Sequence, residues 1–532
     1  MATSAALPAR RCRLPAGRAA ARRSPARPAR AAPRADATAT AESSVVKPSS
    51  TKPLKVIVAG GGIGGLTFAL AAQERGIDVE LFERVKVYKP FGGPIQMQCN
   101  ALGALEAISK PFAEKVISFG CVTGDRINGL LDGVSGKWWM RFDTRQPCRR
   151  NGLPLTLVIN RPDLLQMLLD ALKPGTVERG VEVMGYEQDE EGITALLSDG
   201  RKVRGDVLVA SDGIRSKCRK QFKGEEDLKK NVTYSGYTVY TCCPEFEPAD
   251  VDKIGYQVFL GGCTLNDVNA DCYFVASDVG DGRSQYYAFH REPEGGVDDK
   301  PMKERLLEIF QGWSEPVLDR IRASDESEIE RRDIFDRRPT LTWTDQRMCL
   351  LGDAAHAVQP NMGQGGCQAI EDAYALADEL CGLELRGQEA VEGALVRYAR
   401  RRVLRAGNVH GFSRLAPLAN DLYRPFLGSD PYSVYPEPVR VLLRQVEKLR
   451  VPHPGRVIGQ VGMMFVMDGI LEYIGAGNVL GVPLPPWLGG RIQPKPDERV
   501  PYCQVPGVAD NVAKRDLTDE DFVMKGIPGL AE

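Results

Sequence analysis

Three glycine-bearing segments, far apart along the chain, hold the residues whose types and spacing could bind a nucleotide cofactor. The first is Gly60-Gly61-Gly62-Ile63-Gly64-Gly65. The apolar run 54–59 before it predicts a buried parallel strand, and the run 66–72 after it predicts a helix. In such a unit Gly60 permits the tight turn, Gly62 lets backbone N–H groups approach a pyrophosphate, and Gly65 lets the helix pack closely on the strand. The segment therefore predicts a dinucleotide site.

Two strand ends add polar groups to this predicted site. Glu83 ends a second predicted strand, 79–82, about 20 residues after the glycines, where an acidic side chain is expected to bond ribose hydroxyls. The run 205–211 predicts another buried strand that ends in the turn Asp212-Gly213. If this strand belongs to the same sheet as the first one, the turn would lie beside the dinucleotide.

The third segment runs from Leu350 to Asp372 and is the most specific stretch of the chain. Asp353, at a predicted strand end, can accept a hydrogen bond from a ribitol hydroxyl of a flavin. The loop from Pro360 through Gly363, Gln364 and Gly365 leads into a helix predicted from about Cys367. Its free N–H groups and helix dipole suit the flavin edge that becomes negative on reduction. His356 is interpreted as a turn histidine beside the cofactor, because no second acid–base group neighbours it in sequence. No catalytic side chain is predicted.

The bulk composition is that of a globular protein without a metal site. The 532 residues are 43% hydrophobic and 26% charged, and this length favours two domains or one domain with long extensions. The 13 Cys form no C-x-x-C pair and the four His are dispersed, so neither a disulfide framework nor a metal site is predicted.

The first 45 residues differ from the rest of the chain. They carry nine Arg and no acidic residue before Asp36, which is typical of a chloroplast or mitochondrial transit peptide. A basic nucleic-acid-binding tail is the alternative. Removal of residues 1–45 leaves a formal charge of about −8, an acidity that excludes nucleic acid as an expected partner. No run of about 18 apolar residues exists, so no membrane span is predicted.

The element patterns predict an α/β fold: a Rossmann-like FAD-binding domain, an inserted antiparallel β-sheet substrate domain and a C-terminal helical region. Aromatic, alternating runs at 234–241, 256–260, 273–276 and 285–289 predict the inserted sheet, and 303–321 predicts a helix. The expected boundaries are a discontinuous FAD-binding domain (54–120, 155–231 and 330–390), a substrate domain (121–154 and 232–329), a helical region (391–490) and a tail (491–532).

The three segments, in this order and at these separations, resemble the aromatic-hydroxylase class of FAD monooxygenases. Within that class the chain is similar to the zeaxanthin epoxidases of plastids over most of residues 54–485. The similarity is carried by runs such as Gly93-Pro94-Ile95-Gln96, Gly124-Asp125-Arg126-Ile127-Asn128-Gly129, Tyr234-Ser235-Gly236-Tyr237, Gln359-Pro360-Asn361-Met362-Gly363-Gln364-Gly365-Gly366 and Pro452-His453-Pro454-Gly455-Arg456.

This resemblance implies an enzyme in which reduced FAD and O₂ give a C4a-hydroperoxyflavin that epoxidises a β-ring double bond of a xanthophyll such as zeaxanthin. The cofactor would do the chemistry while the protein positions the ring and excludes water. Arg161, which matches a family position at a helix start, would pair with the pyrophosphate. The electron donor would be NADPH or reduced ferredoxin, since only one nucleotide fingerprint is found. The expected location is the chloroplast, in the stroma and on the thylakoid membrane surface.

Two departures from the family pattern stand out. The loop Tyr88-Lys89-Pro90-Phe91-Gly92 is shorter than its counterpart and lacks an arginine expected near the flavin, which leaves the exact substrate open. Only about 45 residues follow Pro486, too few for the forkhead-associated domain of the plant enzymes.

Three alternatives are open, the first within the flavin monooxygenases and the other two of different classes. They are a plastid FAD hydroxylase of another aromatic or terpenoid substrate, a non-redox flavin-dependent carotenoid cyclase or isomerase, and a silent flavin-binding regulator. For contact with the membrane or an acidic carrier, the candidates are the basic run Arg397–Arg405 and the apolar stretch 461–467. A solvated helix face is the alternative interpretation of the basic run.

Overall fold

The computed structural model describes residues 53–88, 93–263, 270–296, 299–383, 387–423, 436–448, 454–492 and 517–524. All of them belong to one compact unit, Pro48–Glu532. The expected transit peptide 1–45, residues 89–92 of the shortened loop and most of the tail lie outside the described residues.

The strands of the described chain, in order, are β1 (Lys55–Ala59), β2 (Asp78–Glu83), β3 (Ile95–Met97), β4 (Cys121–Val122), β5 (Ile127–Asp132), β6 (Trp138–Phe142), β7 (Leu157–Ile159), β8 (Val177–Arg179), β9 (Val183–Gln188), β10 (Ile193–Leu197), β11 (Lys202–Gly205), β12 (Val207–Ala210), β13 (Val232–Cys242), β14 (Ile254–Cys263), β15 (Ala270–Gly280), β16 (Arg283–Arg291), β17 (Glu330–Arg337), β18 (Thr344–Asp345), β19 (Met348–Leu350), β20 (Asn478–Val479) and β21 (Val482–Pro483).

The helices are α1 (Ile63–Gln73), α2 (Cys99–Ile108), α3 (Lys110–Phe119), α4 (Arg145–Asn151), α5 (Arg161–Ala171), α6 (Lys217–Lys223), α7 (Glu225–Asn231), α8 (Met302–Ile309), α9 (Glu315–Ala323), α10 (Asp353–His356), α11 (Gly365–Leu380), α12 (Gln388–Tyr423), α13 (Glu437–Lys448) and α14 (Pro454–Ala476). Two differences from the sequence expectation are local. The predicted helix 303–321 is two helices, α8 and α9, and α11 begins at Gly365 rather than near Cys367.

A six-stranded sheet carries the first glycine segment. Its strand order is β18-β19-β12-β1-β2-β8, and every neighbouring pair is parallel except β18 with β19. The apolar runs of β1 and β12 are buried on both faces, as expected for central strands of a parallel sheet. The carboxyl ends of β1, β12 and β19 thus bring the three glycine-bearing segments to one edge of the sheet.

A seven-stranded sheet forms the second layer, in the order β17-β13-β16-β15-β14-β5-β6. All neighbours are antiparallel except β14 and β5. One face packs its aromatic residues on α8 and α9 around Phe310 and Trp313. The α/β fold class is confirmed. Because β17 belongs to this sheet, we propose that the boundary of the substrate domain lies near 338 rather than 330.

The C-terminal part consists of α12, α13, α14 and the short hairpin β20–β21. Among the described residues, no helix combines the length and apolarity that crossing a membrane would require.

Candidate active site

A cavity of about 970 Å³ lies between the glycine-bearing edge of the first sheet, one face of the second sheet and α14. Gly62, Arg161, Gly213 and Asp353 line it, together with Pro360, Gly363 and Gly365. Seven of the twelve sequence-predicted site residues therefore share one cavity, although they come from five separate stretches of the chain.

The first glycine segment combines close packing with one open position. A Cβ on Gly60, which has φ +103°, would lie 2.5 Å from the Ser211 carbonyl oxygen, and a Cβ on Gly65 would lie 2.0 Å from the Gly60 carbonyl oxygen. At Gly62, by contrast, no protein atom lies within 4 Å of an added Cβ. Gly60 and Gly65 thus hold α1 against the strand ends, while Gly62 leaves the start of α1 open toward the cavity.

Glu83 lies at the end of β2, behind the glycine segment rather than on the cavity wall. Its carboxylate accepts hydrogen bonds from the Gly61 N–H at 2.6 Å and the Val85 N–H at 2.8 Å. The Tyr88 hydroxyl donates to the Gly61 carbonyl at 2.7 Å, and burial, reinforced by the Glu83 charge, raises the pKa of Tyr88. Glu83 therefore fixes the loop, and its predicted bond to a ribose stays a prediction.

The second segment places Gly213 on the cavity wall and turns Asp212 toward α6. The Asp212 Oδ2 accepts the Lys217 N–H at 2.8 Å and the Cys218 N–H at 3.3 Å. Its Oδ1 is buried and has no hydrogen-bond partner among the described residues, and burial raises the pKa of this carboxyl. Asp212 itself does not line the cavity, and its Oδ2 is already engaged at the start of α6.

Arg219 ties the second segment to the third. Its guanidinium donates to the carbonyls of Ala354 and Ala355, both at 2.9 Å, and pairs with Asp227 at 2.9 Å. This fully buried arginine follows Asp212 in sequence, but nothing in the sequence indicates its partners.

The third segment presents Asp353 to the cavity and hides Gln364. Asp353 begins α10, is exposed, and has no hydrogen-bond or ion-pair partner within the described chain. Gly363, at φ +61°, takes the left-handed conformation before α11, and Gly365 is the first residue of that helix. The Gln364 side chain instead lies buried against Gln98 and Asn100, at 2.7 and 3.0 Å. Any contact of Gln364 with a cofactor would therefore come from its backbone.

A buried ionic network supports the start of α11. Arg402 pairs with Asp372 at 2.6 Å and with Glu371, and Arg405 pairs with Glu371 at 2.6 Å. Burial alone would raise the pKa of Glu371, but Arg405 and Arg402 hold that pKa at about 2. Asp372 also accepts the Gly352 N–H at 2.9 Å, so the network fixes the backbone from which Asp353 extends.

The basic run Arg397–Arg405 is only partly the solvated face that the sequence suggested: Arg397 and Arg400 lie at the surface, whereas the other arginines are buried or largely covered. Arg402 and Arg405 are fully buried. Arg397 and Arg401 pair with acidic residues of α11, among them Glu379 at 2.7 and 2.8 Å. The partners precede the arginines by 18 to 34 residues. Helical periodicity within one helix could not predict pairs at such separations.

His356 is buried and its Nε2 lies 2.6 Å from the Asp372 Oδ2. The structure thus supplies the acidic neighbour that the sequence did not show. Since His356 does not line the cavity, it holds Asp372 in place and does not face a reacting molecule.

The second wall of the cavity is the face of the seven-stranded sheet opposite α8 and α9. It presents Tyr256, Tyr273 and Tyr287 among smaller apolar side chains such as Val258 and Val275. The Tyr273 hydroxyl donates to Asn361 at 2.7 Å, and the Tyr287 hydroxyl donates to the Pro94 carbonyl. The aromatic runs predicted this sheet, but periodicity alone could not tell which face would meet the cofactor loop.

These features of the protein fit a bound FAD. The open position at Gly62 and the free carboxylate of Asp353 meet at one cavity, and Gly213 brings the turn that follows Asp212 to the same wall. The α11 N-terminus adds a partial positive charge. Among the described residues no cluster of three or more His, Cys, Asp or Glu could hold a metal ion.

Comparison with known proteins gives the same answer. The model of the family described as "FAD binding domain" matches residues 53–413. The chain is 45% identical over 498 residues to the chloroplastic zeaxanthin epoxidase of Nicotiana plumbaginifolia. The aligned region covers 92% of this chain and 70% of the relative. For the chloroplastic zeaxanthin epoxidase of Spinacia oleracea the identity is 44%, over 90% of this chain and 67% of the relative.

Solved structures extend the likeness to the fold. Klebsiella pneumoniae HpxO complexed with FAD and uric acid superposes with a TM-score of 0.62 at 25% identity, covering 79% of this chain and 96% of that one. A salicylate hydroxylase substrate complex superposes with a TM-score of 0.58 at 22% identity, covering 81% and 100%. The chain therefore belongs to the zeaxanthin epoxidase family of FAD-dependent monooxygenases.

Proposed function

We propose that this protein is an FAD-dependent monooxygenase of the chloroplast that inserts one oxygen atom of O₂ into the β-ring double bond of a xanthophyll such as zeaxanthin. The single observation that carries this proposal is the cavity itself, which joins the three cofactor segments to an apolar, tyrosine-bearing sheet face. The curated relatives named zeaxanthin epoxidase identify the substrate class.

We infer that the predicted site residues hold FAD in three groups. Gly62 and Arg161 would contact the pyrophosphate, in a turn that Gly60 and Gly65 shape, with Glu83 on the ribose side. Asp212 and Gly213 would lie beside the dinucleotide, and Asp353 would accept from the ribitol chain. Pro360, Gly363, Gln364 and Gly365 would shape the flavin's reactive face.

Bound FAD supplies the reductive activation of O₂ and the oxygen transfer. The chain's own contribution is positioning and exclusion of water. The sheet face and α14 provide apolar walls for a hydrocarbon ring, and the N–H groups at the start of α11 stabilise negative charge. None of these tasks needs a side-chain nucleophile.

Turnover with ¹⁸O₂ tests the proposal directly. The protein, reconstituted with FAD and incubated with zeaxanthin and a reductant, is expected to give a singly ¹⁸O-labelled epoxide. A labelled hydroxyl group would indicate the hydroxylase alternative, an unlabelled isomer the cyclase, and an unchanged carotenoid the silent regulator.

Purified protein is expected to be yellow with one FAD per chain, and a colourless chain that FAD cannot reconstitute contradicts the proposal.

The electron donor is proposed to be NADPH or reduced ferredoxin. The ion pairing of Arg397, Arg401, Arg402 and Arg405 reduces the basic surface that the sequence offered to an acidic carrier. To decide between them, the oxidised holoenzyme is mixed anaerobically with each donor and the bleaching of the flavin absorbance is measured. The donor that bleaches the flavin is the reductant.

We further propose that the protein works at the thylakoid membrane surface and divides between that surface and the stroma. The support is an apolar rim at the cavity mouth, defined by Leu415, Phe465, Val466, Val479 and Leu480. All five line the cavity and are exposed, Phe465 by 74% and Leu480 by 96%. Leu480 also has φ +50° at the tip of the β20–β21 hairpin, a conformation that costs a leucine energy. A long lipid-resident substrate could pass from the bilayer into the cavity across this rim.

A further inference from the structure

The cavity-lining face of the seven-stranded sheet is arranged in cross-strand rows of different polarity. One row, Val239, Phe289, Tyr273 and Leu260, is joined to the cofactor loop through the bond from Tyr273 to Asn361. The next row contains Thr241, Tyr287, Val275 and Val258. The third row consists of Gln285, Ser277 and Tyr256. Polarity therefore increases with distance from the cofactor loop.

Two side chains of the third row carry polar groups without protein partners. Gln285 is only 4% exposed, and its Oε1 has no hydrogen-bond partner in the described part of the chain. The Tyr256 hydroxyl likewise makes no hydrogen bond among these residues, in contrast to the hydroxyls of Tyr273 and Tyr287. Buried polar groups in native proteins are nearly always satisfied, so the Gln285 oxygen on a cavity wall indicates a missing polar ligand group, and the Tyr256 hydroxyl in the same row is an available donor.

Resting on the proposed function, we propose that Gln285 and Tyr256 bind the ring hydroxyl of the xanthophyll and thereby select hydroxylated over unhydroxylated β-rings. A hydroxyl group both donates and accepts. The Gln285 Oε1 can accept its proton, and the Tyr256 O–H can donate to its oxygen. Burial raises the pKa of Tyr256 to about 12, so the phenol keeps this proton at any physiological pH.

The register makes simultaneous contact with one hydroxyl feasible. Ser277 lies between Gln285 and Tyr256, so the two Cα atoms are separated by two strand spacings, about 10 Å. Both side chains are long and Ser277 is small, which leaves room for a hydroxyl between them. Ser277 and Tyr273 are four residues apart on β15, about 13 Å along the strand. The ring hydroxyl would therefore point away from the cofactor loop, with Val275 and Val258 against the ring carbons.

Competition between two rings of one molecule gives the sharpest test. The probe is β-cryptoxanthin, which carries one hydroxylated and one unhydroxylated β-ring, so both rings share one concentration and one membrane environment. The ratio of the two monoepoxides reports the ratio of kcat/KM for the rings. We expect the wild-type holoenzyme to favour the hydroxylated ring by about 100-fold or more, and Gln285→Leu and Tyr256→Phe each to lower this preference by about tenfold.

The matched control is Tyr286→Phe. Tyr286 directly follows Gln285 but faces the other side of the sheet, where its hydroxyl bonds Ser324 at 3.0 Å. Its removal changes stability without touching the cavity, so the product ratio should stay at the wild-type value.

The outcomes separate this inference from the proposed function. Variants that keep the wild-type ratio, or a wild-type enzyme that epoxidises both rings equally, overturn the subsite while leaving the epoxidase intact. A flavin-loaded wild type that epoxidises neither ring overturns the proposed function. In that case, titration of zeaxanthin and β-carotene followed by flavin absorbance still tests the subsite. If the two variants bind zeaxanthin more weakly but β-carotene as tightly as the wild type does, the subsite is supported. If their binding of zeaxanthin is unchanged, the subsite is overturned.

Discussion

At the scale of single residues, two glycines of one loop would respond in opposite ways to an added side chain. A Cβ at Gly65 would meet the Gly60 carbonyl at 2.0 Å, whereas a Cβ at Gly62 meets no protein atom. The backbone at Gly62 has φ −74° and ψ −178°, which any residue adopts. Gly65 is therefore required by the fold and Gly62 by what occupies the cavity.

Gly62→Val should fold normally and lose FAD, because its branched side chain would occupy the space next to the α1 N-terminus where the pyrophosphate must approach. Flavin absorbance after gel filtration measures retention, and circular dichroism checks the fold. Gly407→Val is the control, since it also enters open space but does not line the cavity. Full FAD retention in Gly62→Val would remove the first segment from the site.

Asp353→Ala should weaken FAD binding without unfolding the chain. Its carboxylate lines the cavity, and the substitution removes one charge-assisted hydrogen bond worth roughly 1.5 to 3 kcal/mol, about a 10- to 100-fold increase in Kd. Fluorescence titration of the apoprotein with FAD gives the two Kd values. Equal values would contradict the assignment of Asp353 to the ribitol chain.

At the scale of elements, α11 and α12 are joined by ion pairs of two kinds. Arg402 is buried with Glu371 and Asp372, while Arg397 lies at the surface with Glu379. A buried carboxylate that loses its partner is strongly destabilising, whereas a surface pair contributes little. The buried pairs thus hold the cofactor helix in place.

Arg402→Met is expected to lower the free energy of unfolding by about 3 to 5 kcal/mol. Arg397→Met, the same change on the same helix, should cost less than about 1 kcal/mol. Urea unfolding followed by tryptophan fluorescence measures both. Similar values for the two variants would show that the network contributes no more than a surface pair.

His410 on α12 makes stability depend on pH in a predictable direction. Burial, aided by the charge of Arg414, lowers the pKa of His410 to about 4, while Asp336 opposes the shift. Since the unfolded chain binds this proton near pH 6.5, the free energy of unfolding should fall as pH drops from about 6.5 to 4. In His410→Gln the slope over this window should decrease, and an unchanged slope would contradict the assignment.

The sequence predicted the parts of the site that depend on local chain geometry. Strand, glycine turn and helix follow one another within about ten residues at Gly60–Gly65, and the same holds at Asp212 and Asp353. It could not predict the burial of Arg402 and Arg405, whose partner Glu371 is 31 and 34 residues away. Nor could it assign Gln285 and Tyr256 to one row, because strand register is set only when the sheet forms.

At the scale of the whole molecule, the position of the apolar rim relates the enzyme to a substrate that resides in lipid. Leu415, Phe465, Val466, Val479 and Leu480 come from α12, α14 and the β20–β21 hairpin, yet they surround one cavity mouth. The stretch 461–467 was expected at the membrane, and its Phe465 and Val466 are exposed at this rim. In the basic run Arg397–Arg405, by contrast, Arg402 and Arg405 are buried and Arg397 and Arg401 pair with α11, which leaves little of it for lipid head groups.

Leu480→Asp and Phe465→Asp should therefore reduce the fraction of protein that floats with thylakoid-lipid vesicles, because a charged side chain opposes insertion of the rim. Epoxidation of zeaxanthin embedded in those vesicles should fall in parallel, while FAD content stays at one per chain. Leu341→Asp is the matched control, since Leu341 is 79% exposed but does not line the cavity. The attachment should also depend little on salt, since the rim is apolar rather than basic. If the rim variants and the control float equally, the enzyme meets its substrate by another surface.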